Sequence, residues 1–93
     1  MGKEKTICRD IQIVNRLGMH ARPASLFVQT ATRFKSEITV KKDKQLIDGK
    51  SILGLLMLAA GNGSALTVSA CGEDAAEALD AIEQLIASKF GEE

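Results

Sequence analysis

Apolar positions along this chain switch period several times, and each switch marks an element. In Ile7 to Val14, the residues Ile7, Ile11 and Ile13 share one parity, with Arg9 the exception, and the β-branched content predicts a half-buried strand. Asn15-Arg16-Leu17-Gly18-Met19 then reads as a loop. From Ala21 to Phe34 the apolar residues Ala24, Phe27, Val28, Ala31 and Phe34 recur at helical spacing. Pro23 is tolerable only in a first turn, so this helix starts close to His20. Ile38 and Val40 alternate with Glu37, Thr39 and Lys41 in a second strand, Lys42-Asp43-Lys44 turns the chain, and Gln45 to Asp48 returns as a third.

Ser51 precedes a helical run to Ala60, which Gly61-Asn62-Gly63 stops. Leu66, Val68 and Ala70 alternate with Thr67, Ser69 and Cys71 in a fourth strand. The last helix carries the fullest punctuation. Asp74 stands as N-cap with Glu77 three residues on, Ala75, Ala78, Leu79, Ile82, Leu85 and Ile86 form the apolar stripe, and Lys89 and Gly91 close it. The order βαββαβα has no repeat or linker, so residues 1–93 are expected to form one domain. Strands with one apolar face and three amphipathic helices predict an open-faced, two-layer α+β sandwich with all helices on one side of an antiparallel sheet.

Composition narrows the function classes. The 93 residues are 45% hydrophobic and 26% charged, as in a globular chain with a core of its own. Twelve basic residues balance twelve acidic ones, and Phe27, Phe34 and Phe90 are the only aromatics, which argues against nucleic acid as a partner. Ile52 to Ala60 is too short to span a membrane, and the charged Met1 to Lys5 is not a secretory segment, so a cytoplasmic protein is expected. Met1, Gly2 and Thr6 match the loose myristoylation pattern, yet no second membrane signal accompanies them and no lipid anchor is expected. With two cysteines, Cys8 and Cys71, and His20 as the one histidine, no metal or other cofactor is expected.

Chemistry therefore concentrates on His20. Met19, His20 and Ala21 stand where a helix usually has Ser, Thr, Asp or Asn as its cap, so the first-turn N–H groups lack an obvious acceptor. Free N–H groups at the positive end of a helix suit a phosphate, and Arg22 adds a guanidinium fork in the same turn. A neutral imidazole nitrogen beside such a cradle is a competent nucleophile toward phosphorus, with Gly18, Ala21 and Pro23 shaping the loop and cradle.

The unit Gly18-Met19-His20-Ala21-Arg22-Pro23-Ala24 resembles the active centre of the bacterial histidine-containing phosphocarriers, the HPr family. The likeness extends through the hairpin, Lys50-Ser51-Ile52, Thr67-Val68-Ser69-Ala70 and Gly72-Glu73-Asp74. The resemblance implies a phosphocarrier of the phosphoenolpyruvate-dependent phosphotransferase system, a carrier rather than an enzyme. His20 would take a phosphoryl group on Nδ1 from enzyme I and hand it to an enzyme IIA domain, with Arg22 neutralising charge. Nδ1 attacks only when unprotonated, so the Nε2–H tautomer is the reactive one. Ser51, read from sequence as the N-cap of the second helix, matches the serine targeted by HPr kinase in some bacteria. That helix is apolar nearly all round, and Ile52, Leu53 and Leu56 match positions that contact partners in the family. A carrier that meets two partners through one face is expected to be a monomer.

Two branches of the family stay open. Asn15-Arg16-Leu17-Gly18-Met19-His20 and Leu55-Leu56-Met57-Leu58 look like the nitrogen-regulatory branch, the NPr type, whereas Lys50-Ser51-Ile52-Leu53-Gly54 looks like kinase-regulated HPr. An acylphosphatase-like enzyme is a remote rival, since its glycine-rich phosphate loop and water-holding Asn have no counterpart here. The family's strand order, 1-4-2-3, would set Cys8 and Cys71 near one another on the open face of the sheet as reduced thiols.

Overall fold

The computed structural model describes residues 6–92. Met1 and Gly2 of the myristoylation pattern lie outside them. Four strands, β1 (Thr6–Gln12), β2 (Glu37–Lys42), β3 (Gln45–Asp48) and β4 (Ala65–Cys71), form one antiparallel sheet in the order β1-β4-β2-β3. Helices α1 (Ala21–Ala31), α2 (Ile52–Met57) and α3 (Ala75–Ala87) complete the α+β open sandwich. Helix α3 packs on β1 and β4, α2 on β3, and α1 touches both other helices. The inward parity of the strands meets these helices in a core that includes Ile13, Phe27, Ile38, Val40, Leu55, Leu58, Leu66, Val68, Leu79, Ile82 and Phe90. Among the described residues no helix is long and apolar enough to cross a membrane.

Arg9, the one polar residue of inward parity on β1, turns its guanidinium onto α3, where Nη1 lies 2.8 Å from both Asp80 Oδ1 and Glu83 Oε1. Those hydrogen bonds, Asp80's first, raise its pKa above the ordinary arginine value. The pair marks the rim where the α3 layer meets the edge of the sheet.

Helix ends depart from their sequence signals at three places. Helix α1 stops at Ala31 instead of Phe34, because Arg33 and Phe34 bond three residues back, to Thr30 and Ala31, and tighten the last turn. Helix α2 stops at Met57, three residues short of Ala60, with Ala59 left-handed at φ 52°. Asp74 does occupy the N-cap position of α3, but its carboxylate makes no cap bond. It accepts instead from Lys35 N at 2.9 Å, Ser36 N at 3.0 Å and Ser36 Oγ at 2.6 Å, stapling the α1–β2 connection to the start of α3. A tertiary network outcompetes the local capping box that Asp74 and Glu77 spell out.

The cysteines share the open face near one another, as expected. Cys8 faces Ser69, with Sγ 3.1 Å from Ser69 Oγ, while Cys71 faces Thr6 and Glu37. They are diagonal rather than directly opposed, and both are free thiols.

The Asp74 staple has a pH signature. Its hydrogen bonds, from the Ser36 hydroxyl first and the Lys35 backbone next, lower its pKa below the ordinary 3.8. A depressed carboxylate contributes stability that is present above the unfolded-state pKa and lost as pH falls through the folded-state value. Asp74→Asn is therefore expected to lower Tm at neutral pH, and the gap to wild type should close below about pH 4. Glu77→Ala should lower Tm less than Asp74→Asn; equal losses would mean that the staple adds nothing to the cap position.

Candidate functional site

The loop between β1 and α1 is held by backbone contact. Gly18 has φ 74°, and a Cβ there would lie 2.5 Å from Ala60 O and 2.7 Å from Gly61 Cα, so only glycine lets the two loops touch. Met19 N–H donates to Ala60 O at 2.8 Å and Asn62 Nδ2 donates to Asn15 O at 3.0 Å, tying the loop that follows α2 to the loop that precedes α1. His20 N–H then turns back to Gly18 O, and His20 becomes the N-cap of α1 in extended conformation with no side-chain cap bond.

The first turn of α1 contains no acidic residue. Its first intrahelical bond runs from Ala24 N–H to His20 O, and Pro23 has no N–H, so Ala21 and Arg22 supply the open donors. Pro23 is buried and sets the turn rather than donating to a cradle. Gly18 likewise works through packing, because its own N–H is spent on Asn15 O. Ala21 and Arg22 are exposed, and Arg22 borders an open depression together with Arg16, Leu17 and Glu92.

The imidazole of His20 is 38% exposed, with Nε2 2.9 Å from Glu92 Oε2. The other oxygen of Glu92 accepts from Asn15 Nδ2 at 3.0 Å, and the same amide donates to Gly18 O at 2.8 Å. Asn15 is fully buried, and its Oδ1 bonds no described group. Asn15 and Glu92 are thus members of the site that sequence reasoning did not pick out. Asn15 read as a loop residue, and Glu92 lies beyond the last helix, where neither periodicity nor capping signals reach.

Ser51 starts a different helix. Its Oγ accepts from Gly54 N at 3.0 Å, the N-cap bond expected of it, and Lys50 Nζ reaches Phe34 O at 2.9 Å to anchor this corner to the end of α1. Leu55 and Leu58 point into the core, whereas Ile52, Leu53, Leu56 and Met57 are exposed. The apolar surface of α2 therefore remains uncovered on its outer side, with Leu17 exposed on the loop before His20. Among the described residues no group of three or more His, Cys, Asp or Glu is placed to hold a metal ion.

Comparison with known proteins gives one family. A family model described as the PTS HPr component phosphorylation site matches residues 7–88. Phosphocarrier protein HPr from Neisseria meningitidis serogroup A is 48% identical over 84 residues, covering 90% of this chain and 94% of the relative. Phosphocarrier protein NPr from Shewanella violacea is 43% identical over 84 residues, covering 90% and 92%. A crystal structure of HPr from Thermoanaerobacter tengcongensis superimposes with a TM-score of 0.90 at 48% identity, covering 94% of this chain and 98% of that one. One described as an HPr dimer from the same organism gives 0.76 at 50%, covering 88% and 94%.

The site's geometry hangs on Gly18. Gly18→Ala is expected to cost more than about 1 kcal/mol, since the left-handed conformation and the clash with the Ala60–Gly61 backbone add. Urea denaturation measures it, and Gly63→Ala, also left-handed but with open space around its Cβ, reports the conformational part alone.

Proposed function

Because the chain belongs to the HPr family of phosphotransferase-system phosphocarriers, we propose that His20 accepts a phosphoryl group on Nδ1 from enzyme I and passes it to an enzyme IIA domain. The observation that carries this reading is the placement of His20 at a helix start with no side-chain cap, with Nε2 engaged by Glu92. That arrangement turns Nδ1 into the ring's free lone pair. Ala21 and Arg22 N–H, the positive end of α1 and the Arg22 guanidinium supply the charge stabilisation that phosphoryl transfer chiefly requires. His20 is restored when the acceptor takes the group, so the protein is a carrier whose chemistry is completed by its partners.

Enzyme I and IIA domains would dock on the apolar outer side of α2, at Ile52, Leu53 and Leu56, beside the loop that carries His20. Ser51 would be the regulatory phosphorylation site of an HPr kinase, since a phosphate at a helix N-terminus is electrostatically tolerated while it charges that apolar patch. We read the protein as a cytoplasmic monomer; a sizing column set against the dimeric relative tests the assembly. Sugar uptake and nitrogen-branch regulation both fit the residues, and the IIA protein that takes the phosphoryl group from this chain distinguishes them.

Incubation with phosphoenolpyruvate and enzyme I is expected to add one acid-labile phosphoryl group to the wild type, read by mass, and none to His20→Ala, whose circular dichroism should be unchanged. Labelling of His20→Ala would refute the assignment. Arg22→Ala should slow transfer by roughly 10²-fold, the loss usual for one preorganised donor at a developing charge, with Tm nearly unaffected.

Ser51→Asp keeps a good cap, so the fold should persist. Its carboxylate should lower the rate of acceptance from enzyme I, and a wild-type rate would exclude regulation through this position.

A further inference from the structure

After α3 the chain passes through three consecutive left-handed residues, Lys89 at φ 60°, Phe90 at 56° and Gly91 at 75°. Glycine enters that region freely, whereas a lysine and a bulky phenylalanine do so only when their surroundings hold them. Here Phe90 is 1% exposed and packed in the core, and Gly91 and Glu92 N–H bond back to Ser88 O and Lys89 O at 3.1 and 2.8 Å. What this anchored turn achieves is one placement. The Glu92 carboxylate sits between the Asn15 amide at 3.0 Å and His20 Nε2 at 2.9 Å.

A carboxylate only accepts hydrogen bonds, so Nε2 must carry the hydrogen in this contact, and a neutral ring so held has its lone pair on Nδ1. Asn15 in turn orients Glu92: with one amide hydrogen on Gly18 O and the other on Glu92 Oε1, it leaves Oε2 for the imidazole. We propose that Glu92, held by Asn15 and by the Phe90 anchor, is the positioning residue that sets the tautomer of His20 and directs phosphorylation to Nδ1. The biological meaning of this inference rests on the phosphocarrier reading, but the tautomer itself does not.

In the step concerned, the Nδ1 lone pair forms the N–P bond while the donor's bond to phosphorus breaks, and the donor keeps that electron pair. The proton stays on Nε2. The ring gains positive charge as the bond forms, and the Glu92 carboxylate faces it. A buried acid plays the same orienting part toward histidine in hydrolase triads.

His20 is the one histidine of the sequence, so its ¹⁵N signals report the tautomer directly. At a pH where the ring is neutral, the wild type should show the Nε2–H form almost alone. Glu92→Ala should raise the Nδ1–H population about tenfold, the factor that goes with loss of a charge-assisted hydrogen bond. Reaction with phosphoramidate, a small N–P donor that needs no partner protein, should give the Nδ1 product in the wild type and an Nδ1-to-Nε2 product ratio about tenfold lower in Glu92→Ala. Glu92→Gln keeps a carbonyl acceptor and should recover the tautomer. Wild-type tautomer and product ratio in Glu92→Ala would overturn the proposal even if enzyme I phosphorylates the protein normally. A shifted tautomer combined with no transfer from enzyme I to the wild type would overturn the phosphocarrier reading and leave the positioning role standing.

Discussion

The approach of Gly18 to the Ala60–Gly61 backbone is the contact on which the site depends. It brings together the loop before α1 and the loop after α2, and the bonds around it continue the β1–β4 pairing past the strands: Ile13 N–H to Ser64 O and Gly63 N–H to Ile13 O, both at 2.8 Å. The pinned loop sets residue 20 at the cap position in extended conformation, and the residue there is a histidine whose side chain makes no cap bond. His20 stands at the cap position by geometry, and the donors ahead of it stay open. A side chain at residue 18 would meet the Ala60–Gly61 backbone and move the imidazole relative to the helix end that, on the proposed function, would share a phosphoryl group with it.

Two of the three helices spend no side-chain cap on themselves. An absent cap costs about 1 kcal/mol, and the loss differs in purpose at the two places. At α1 the donors stay open, and on the proposed chemistry they would serve the phosphoryl group. At α3 the Asp74 carboxylate is redirected to Lys35 and Ser36, where it holds the exit from α1 against the start of the last helix. Only α2 keeps its cap, on Ser51, and that helix has six residues and much of its apolar surface outside the core. The core built by Phe27, Leu79, Ile82 and Phe90 against the sheet offsets these deficits, since each large buried side chain is worth about 1.5–3 kcal/mol.

Period carries the fold well where burial is one-sided. Ile38 and Val40, Leu66 and Val68, and the Ala78-Leu79-Ile82-Ile86 stripe each face the core as their alternation or helical spacing requires. The uncapped helix start at His20 is legible because a missing cap is itself a sequence signal. Tertiary competition is what local pattern cannot express: Asp74 and Glu77 spell a capping box, yet Ser36 is the better partner for the carboxylate. Cys8 and Cys71 fall near one another on the open face as parity and strand order require, though parity determines the face of a strand and not its slide along a neighbour, so their diagonal offset is read only from the pairing. Phe90 falls in helix-patterned sequence, while in the structure it is left-handed and locks the tail that carries Glu92. No residue type announces that conformation, so the place of Glu92 between Asn15 and His20 is visible only in three dimensions.

The same balance extends to the surface. On the proposed function the contacts with partners would have to form and release quickly, and such encounters sit at the small end of interface size. Ile52, Leu53, Leu56 and Met57 on α2 are left exposed, and on the proposed function they would be a docking patch of that modest kind. With a net charge of zero, the chain as a whole brings no long-range field to prolong an encounter. Discrimination therefore falls on charge within a few ångströms of the site. Arg16 and Arg22 bring positive charge and Glu92 negative charge to the lining of one depression, and Glu92 also meets His20. On the proposed chemistry, Arg22 and the start of α1 favour the phosphoryl group while Glu92 favours the positively charged ring and opposes the phosphate. Opposed terms of that kind keep the phosphorylated state from becoming a thermodynamic sink, which is the condition for handing the group onward.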